Sequence, residues 1–185
     1  MDKRKIEKAV TELLKAIGEN PDRPELRKTP HRFADLLEEL FSGYGKDSKD
    51  ILQTTHDLKH DEMVIVKDIP FYSMCEHHLM PFFGKCHVAY IPSKSRIVGI
   101  SRLADLVNVM SKRLQVQERL TTGIANSIME HLKPKGVGVV AEARHLCMEM
   151  RNLSNALIVT SAVRGLFRTD IKTREEFLKL IKQTG

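Results

Sequence analysis

From Met63 onward the spacing of apolar residues switches between strand-like and helix-like, and the order of those switches restricts the fold more than any other feature. "MVIVKDIPFYSM" (63–74), interrupted by Pro70, and "FFGKCHVAYI" (82–91) read as strands, with "RIVGI" (96–100) a short third. A helix follows, with Ser101 as its cap and Leu103, Leu106, Val107, Met110 and Leu114 on one side. A second helix carries Leu120, Ile124, Ile128 and Leu132 and stops at "KPKG". Two further strands, "VGVVAEARHLCMEM" and "ALIVTSAV", are joined by the tight link "RNLSN", and "TREE" reads as a capping box opening a last helix. The order β-β-α-α-β-β predicts an α+β unit whose helices cover one sheet face only. The other face then needs a partner, so self-association is expected.

Before this unit lies a helical pair. Ile6, Val10, Leu13, Leu14 and Ile17 repeat at helical spacing up to Gly18; Thr29 caps a second helix with Pro30 at its first position. Residues 45–61 are polar and read as a loop. The expected division is a helical segment over 1–61 and an α+β domain over 62–185, the two forming one structural unit. No apolar run approaches the ~20 residues of a membrane span, and nothing resembles a signal peptide. Three cysteines, an odd number, argue against a disulfide framework and place the chain in a reducing cytoplasm. Lys and Arg (30) exceed Asp and Glu (24) for a net charge of +6, which suits a solvated surface or an anionic small substrate. Nucleic acid fits poorly, because the basic residues are dispersed and there is no Trp to stack on bases.

The histidines and cysteines carry the chemistry. Cys75 and His78 in "CEHH" have a C-x2-H spacing that a tight turn can deliver to zinc. His77 points away from His78, as neighbouring side chains do. In "RHLCMEM", His145 and Cys147 sit two apart on a predicted strand and share a face. Brought to the "CEHH" turn, they would complete a three-ligand site with an open fourth position, the pattern of a catalytic zinc. Two spare imidazoles beside it would serve as general acid and base. A rival is a structural knot of Cys75, His78, Cys86 and His87, although Cys86 and His87 are adjacent on a strand and face opposite sides. The third reading is that the cysteines are buried small hydrophobes. His31, His56, His60 and His131 fall in helix ends or polar loops and are expected at the surface.

"CEHHLMPFFGKCHVAYIPS", "VGIS", "QVQERLT" and "RHLCMEMR" together resemble the GTP cyclohydrolase I family, as do "LRKTPHR", "EELFSGY" and "TREEFLKLI". The resemblance implies a T-fold whose strands form an oligomeric barrel, assembled as a decamer of two pentamers with GTP bound at subunit interfaces. It implies Zn2+ held by Cys75, His78 and Cys147, and proton transfer by His77 and His145. Gln117 and Glu118 would bind the guanine edge. Ser101, Arg151, Arg32 and Arg102 would lie at the phosphates. The implied reaction opens the purine at C8, releases formate and closes a new ring to 7,8-dihydroneopterin triphosphate.

The chain departs from the family at the phosphate end. Members commonly read "S-K-x-x-R" where this chain has "SRLAD", so Asp105 reverses a charge that Arg102 keeps. Asp35 stands where a lysine often follows, Asn152 replaces a usual glycine, and "RNLSN" is about two residues short. With these changes, a guanine nucleotide carrying fewer phosphates competes with GTP as the expected substrate. The chain could also be a metal-binding T-fold regulator without turnover, a T-fold nitrile reductase, or a structural zinc module for nucleic acid.

Overall fold

The computed structural model describes residues 1–55, 60–94, 96–153 and 155–183. It divides into two compact units, Met1–Ser42 and Gly43–Gly185. In the first, α1 (Lys3–Ala16) and α2 (Thr29–Leu40) pack on each other. Asp2 caps α1 by accepting from the Lys5 N–H, and Gly18, at φ +89°, turns the chain back so that the Glu19 N–H reaches the Leu14 carbonyl at 2.9 Å. Thr29, expected as a cap, is instead the first helical residue. Lys28 before it already has helical dihedrals and its side chain makes no capping bond. Lys3 bonds Asp35 (2.9 Å) and Glu38 (2.7 Å), which ties the start of α1 to α2.

The second unit begins with α3 (Ser48–Ile51) and β1 (Thr54–Thr55), so the expected loop of 45–61 carries short elements; its residues 56–59, His56 included, lie outside the described residues. Then come β2 (Val64–Cys75), β3 (Pro81–Ile91), β4 (Ile97–Val98), α4 (Ile100–Ser111), β5 (Leu114–Gln115), α5 (Gln117–Leu132), β6 (Gly136–His145), α6 (Leu146–Glu149), β7 (Ile158–Gly165), α7 (Leu166–Thr169) and α8 (Ile171–Lys182). β1 pairs with β4 apart from the main sheet, whose order is β5-β2-β3-β6-β7. It is antiparallel except for the short β2–β5 pairing.

Pro70 does not interrupt β2. The irregularity lies just before it, where the register passes from Val66↔Val88 to Ile69↔Cys86 and leaves one extra residue on β2. Asp68 occupies this bulge at φ +58°, a conformation Asp tolerates better than most residues.

One face of the sheet packs on α4 and α5. Leu103, Leu106, Leu120, Ile124, Ile128 and Leu132 are fully buried against Phe71, Phe82, Val88, Tyr90, Val137 and Val139. The opposite face is not left bare, as the β-β-α-α-β-β pattern had implied. Phe167 of α7 and Phe177 of α8 cover it around Ala89 and Val140, their rings edge to face at 5.5 Å. Gly138 permits this close approach, because a Cβ there would sit 2.7 Å from Phe167 and 2.9 Å from Phe177. Nearer His145, the same face stays open at Tyr72 and Val159.

Two further caps differ from expectation. α4 starts at Ile100 with Gly99 in the cap position, so Ser101 is already inside the helix. α8 is capped by Asp170, whose carboxylate accepts the N–H groups of Lys172 and Thr173 and the Thr173 hydroxyl, rather than by Thr173 itself. Among the described residues no helix is long and apolar enough to cross a membrane. Truncating Phe177 to Ala should open a cavity beside Gly138 and cost about 3–5 kcal/mol in urea unfolding. Metal content at the far end of β6 should be unchanged.

Candidate metal centre and catalytic site

β2 ends on Cys75, and the chain turns over 76–80 before β3. The Cys75 N–H donates to the Met80 carbonyl (2.8 Å), the Leu79 N–H donates to the Cys75 carbonyl (2.9 Å), and Leu79 takes φ +51°. Glu76 fixes the turn from outside. Its N–H donates to the Gln115 carbonyl on β5, and its carboxylate receives both Nη groups of Arg119 at 2.5 and 2.9 Å. This fork holds the Glu76 carboxyl below the usual carboxylate range.

The other half arrives along β6. Register with β3 runs from Ile91↔Gly136 to Phe82↔His145, and the His145 ring stacks on Phe82 with centroids 4.7 Å apart. The strand expected to continue through Met150 stops at His145. Leu146–Glu149 coil into one helical turn, closed by a two-pronged pair of Arg144 with Glu149 (2.8 and 2.6 Å). His145 and Cys147 therefore do not share a strand face. The turn instead carries Cys147, buried, to Cys75 and His78.

The Cys75 sulfur lies 4.0 Å from His78 Nδ1, and the ligand atoms of Cys75, His78 and Cys147 all fall within 4.8 Å of one another. Tetrahedral zinc with Zn–S near 2.3 Å and Zn–N near 2.0 Å separates its ligands by about 3.5–3.8 Å, so a small contraction suffices. Burial raises the Cys147 thiol pKa and the neighbouring Cys75 sulfur adds to it. Metal binding displaces thiol protons, and two thiolates with one imidazole are a donor set for zinc. Both cysteines are buried and His78 is exposed, so the site opens on the histidine side.

Among the described residues this is the one such group, and the rival knot does not form. Cys86 is fully buried in the core facing α4 and α5, its thiol pushed up to about 12 by burial. His87 is buried too, and its Nδ1 accepts the Asp68 N–H at 3.1 Å. His31 and His60 are exposed; His131 is half-buried beside the Ser48 hydroxyl.

His77 is exposed, its ring at 88° to that of His78. His145 is half-buried, and burial lowers its pKa against the opposing pull of the Glu118 and Glu149 carboxylates. Gln117 and Glu118 form the first turn of α5, Glu118 exposed and Gln117 buried. The Gln117 amide donates to the carbonyls of Ala141 (2.9 Å) and Ile158 (3.0 Å), and its oxygen sits 2.7 Å from His145 Nε2. A guanine contact from this side chain would have to displace one of these bonds. Arg151 Nη1 is 3.4 Å from His78 Nε2. Ser101 and Arg102 are exposed on α4, where Arg102 lies 3.7 Å from Asp105. Arg102 and Asp105 line a depression of ≈ 460 Å³ with Lys46, Asp47, Asp50 and Asn108, which none of the cysteine or histidine ligands enters. Arg32 is exposed on α2 of the N-terminal unit.

Reading the residues in order missed Glu76, Arg119, Arg144 and Glu149. Glu76 and Arg119 are 43 positions apart and carry no local signal. Arg144 and Glu149 looked like ordinary charges on a strand.

Two distant turns on the sheet thus converge as a Cys-His-Cys group that could hold a metal ion, with the imidazole of His77 and that of His145 carried on the same two turns. A model of the family GTP cyclohydrolase I matches residues 6–182. The chain is 56% identical over 183 residues to GTP cyclohydrolase 1 of Caldanaerobacter subterraneus subsp. tengcongensis, across 98% of this chain and 97% of that one. It is 53% identical over 184 residues to GTP cyclohydrolase 1 of Clostridioides difficile, again across 98% and 97%. The chain belongs to the GTP cyclohydrolase I family.

Replacing Cys147 with Ala should drop bound metal far below stoichiometric, while Cys86→Ala should keep full metal content. Elemental analysis after dialysis distinguishes the two; equal loss in both would restore the four-residue knot.

Proposed function

We propose that this chain hydrolyses the imidazole ring of GTP, releasing formate and yielding 7,8-dihydroneopterin triphosphate, with zinc held by Cys75, His78 and Cys147. The observation that carries this reading is the convergence of those three ligands at the end of the sheet where His145 stacks on Phe82. Zinc there would supply a Lewis acid and lower the pKa of a water.

The chain's own residues account for the rest. Glu118, exposed at the start of α5, accepts two N–H groups from the guanine edge, which adenine does not offer. His77 and His145 move protons, the role imidazoles take in general acid–base catalysis. Arg151 sits beside His78 and is available to a phosphate, as are Arg102 with Ser101 and Arg32. The site is open in a single chain, and β7 is an outer strand with Val159 exposed on it and Leu157 exposed just before it. These features support closure by other copies: a T-fold barrel, two pentamers forming a decamer, and sites completed across subunit interfaces. Three free thiols favour the cytoplasm, and the product would feed pterin and tetrahydrofolate synthesis.

A second reading, in which a guanine nucleotide with fewer phosphates is preferred, is favoured by one observation. Asp105 lies 3.7 Å from Arg102 and offsets the charge it would offer to a phosphate. Steady-state kinetics on GTP, GDP, GMP and guanosine, with formate and the fluorescent pterin as readouts, decide between them. The first reading expects the highest kcat/KM with GTP, the second with GDP or GMP; no formate from any of them would leave only a regulator without turnover. Glu118→Gln should lower kcat/KM for GTP about 10–100-fold, the worth of a hydrogen bond to a charged group.

A further inference from the structure

We infer that Gln117 is a positioning residue which fixes the neutral His145 ring in the tautomer with its hydrogen on Nε2 and its lone pair on Nδ1. This deepens the proposed reaction and rests on it, but the geometry stands by itself. Gln117 is 1% exposed, so its amide must find partners inside the protein. Two of them are the carbonyl oxygens of Ala141 on β6 and Ile158 at the start of β7, at 2.9 and 3.0 Å. Carbonyls only accept, so the NH2 end of the amide must face them. Turning the amide over would set its oxygen against both carbonyls and trade two N–H···O bonds for a single N–H···Nε2 bond.

With the amide so oriented, Oε1 faces His145 Nε2 at 2.7 Å, and an amide oxygen also only accepts. Nε2 must then carry a hydrogen, in the neutral ring and in the cation alike. Phe82, stacked at 4.7 Å and 9°, holds the ring plane, so the bond does not swing away. Gln117 is itself anchored, since its carbonyl accepts the Thr121 hydroxyl at 2.8 Å and that oxygen meets Thr160 Oγ1 at 2.6 Å. Nδ1 has no hydrogen-bond partner among the described residues. The same bonds withdraw the Gln117 side chain from guanine and leave that edge to Glu118.

The tautomer can be read directly. The zinc-loaded protein is labelled with 15N-histidine and studied by magic-angle-spinning NMR above the ordinary imidazole pKa of about 6.5, with His145→Gln assigning the signals. The expected result is a protonated Nε2 and an unprotonated Nδ1 at His145; the reverse would overturn the inference. Gln117→Leu should mix the two tautomers and lower kcat by on the order of 10-fold or more, within the range general acid–base catalysis contributes, with KM for GTP little changed. A raised KM at unchanged kcat would instead make Gln117 a guanine ligand and overturn it. The wild-type spectrum needs no turnover. A protein that released no formate but showed the Nε2–H ring would refute the reaction alone. An active protein with the Nδ1–H ring would refute the tautomer alone.

Discussion

The in-register pairing of β3 with β6 is the constraint on which the site depends. Ten successive pairs, from Ile91↔Gly136 to Phe82↔His145, determine where β6 ends relative to the turn that opens β3. A slip of one residue would send every side chain of β6 to the opposite face, taking His145 off Phe82 and Val139 out of the core. The glycines guard this register. A Cβ on Gly84 would lie 1.8 Å from the Glu142 carbonyl, so the strands can approach at that point only without a side chain. Hydrophobic packing on both faces thereby supplies the precision that brings Cys75 and Cys147 together across about seventy residues of sequence.

At the end of the sheet, charge takes over from packing. Glu76–Arg119 ties the first ligand turn to the start of α5, and Arg144–Glu149 closes the helical turn that presents Cys147. Ion pairs with exposed guanidinium groups contribute little to stability, about 0–1 kcal/mol each. Their value lies in geometry, because a planar fork on a carboxylate fixes both distance and angle. One fork sits on each half of the metal centre, and the first also reaches the helix that carries Gln117 and Glu118. The Cys75–His78 turn, the first turn of α5 with Glu118, and the Cys147 turn are in this way referred to one frame.

Period and spacing made much of this legible. Helices α1, α2, α4 and α5 and strands β2 and β3 lie where residue period places them, although Leu13, Ile17, Phe33 and Leu36 stay exposed and Leu114, read with the α4 stripe, falls in β5. The divergence of His77 from His78 follows from adjacency alone. What escaped was set by tertiary partners. The β6 strand ends at His145 because Arg144 and Glu149 close a turn, and a five-residue spacing of opposite charges does not announce one. Thr29, Ser101 and Thr173 are good capping residues, yet each lies within the first helical turn. The caps are Lys28, Gly99 and Asp170, chosen by how the preceding chain enters the helix. The cover of the second sheet face came from Phe167 and Phe177, whose partner surface is a glycine on a distant strand.

The departures from the family motifs at Asp35, Asp105 and Asn152 are of two physical kinds. Asn152 takes φ +54° after α6, with its N–H on the Glu149 carbonyl and the next N–H on that of Met148. Asn tolerates this left-handed conformation second only to Gly, so the helix ending survives the replacement of glycine. Asp35 and Asp105 change charge, and each has found a cation: Lys3 for Asp35, at 2.9 Å, and Arg102 for Asp105, at 3.7 Å. Arg102 and Asp105 are both about half exposed (52% and 53%), so their mutual attraction is that of a solvated pair, no more than about 1 kcal/mol. A phosphate that drew Arg102 away would forfeit only that, about a fivefold loss in affinity. Within the second unit Arg151 adds a further guanidinium, beside His78. The magnitudes therefore favour GTP with weakened binding over a change of nucleotide.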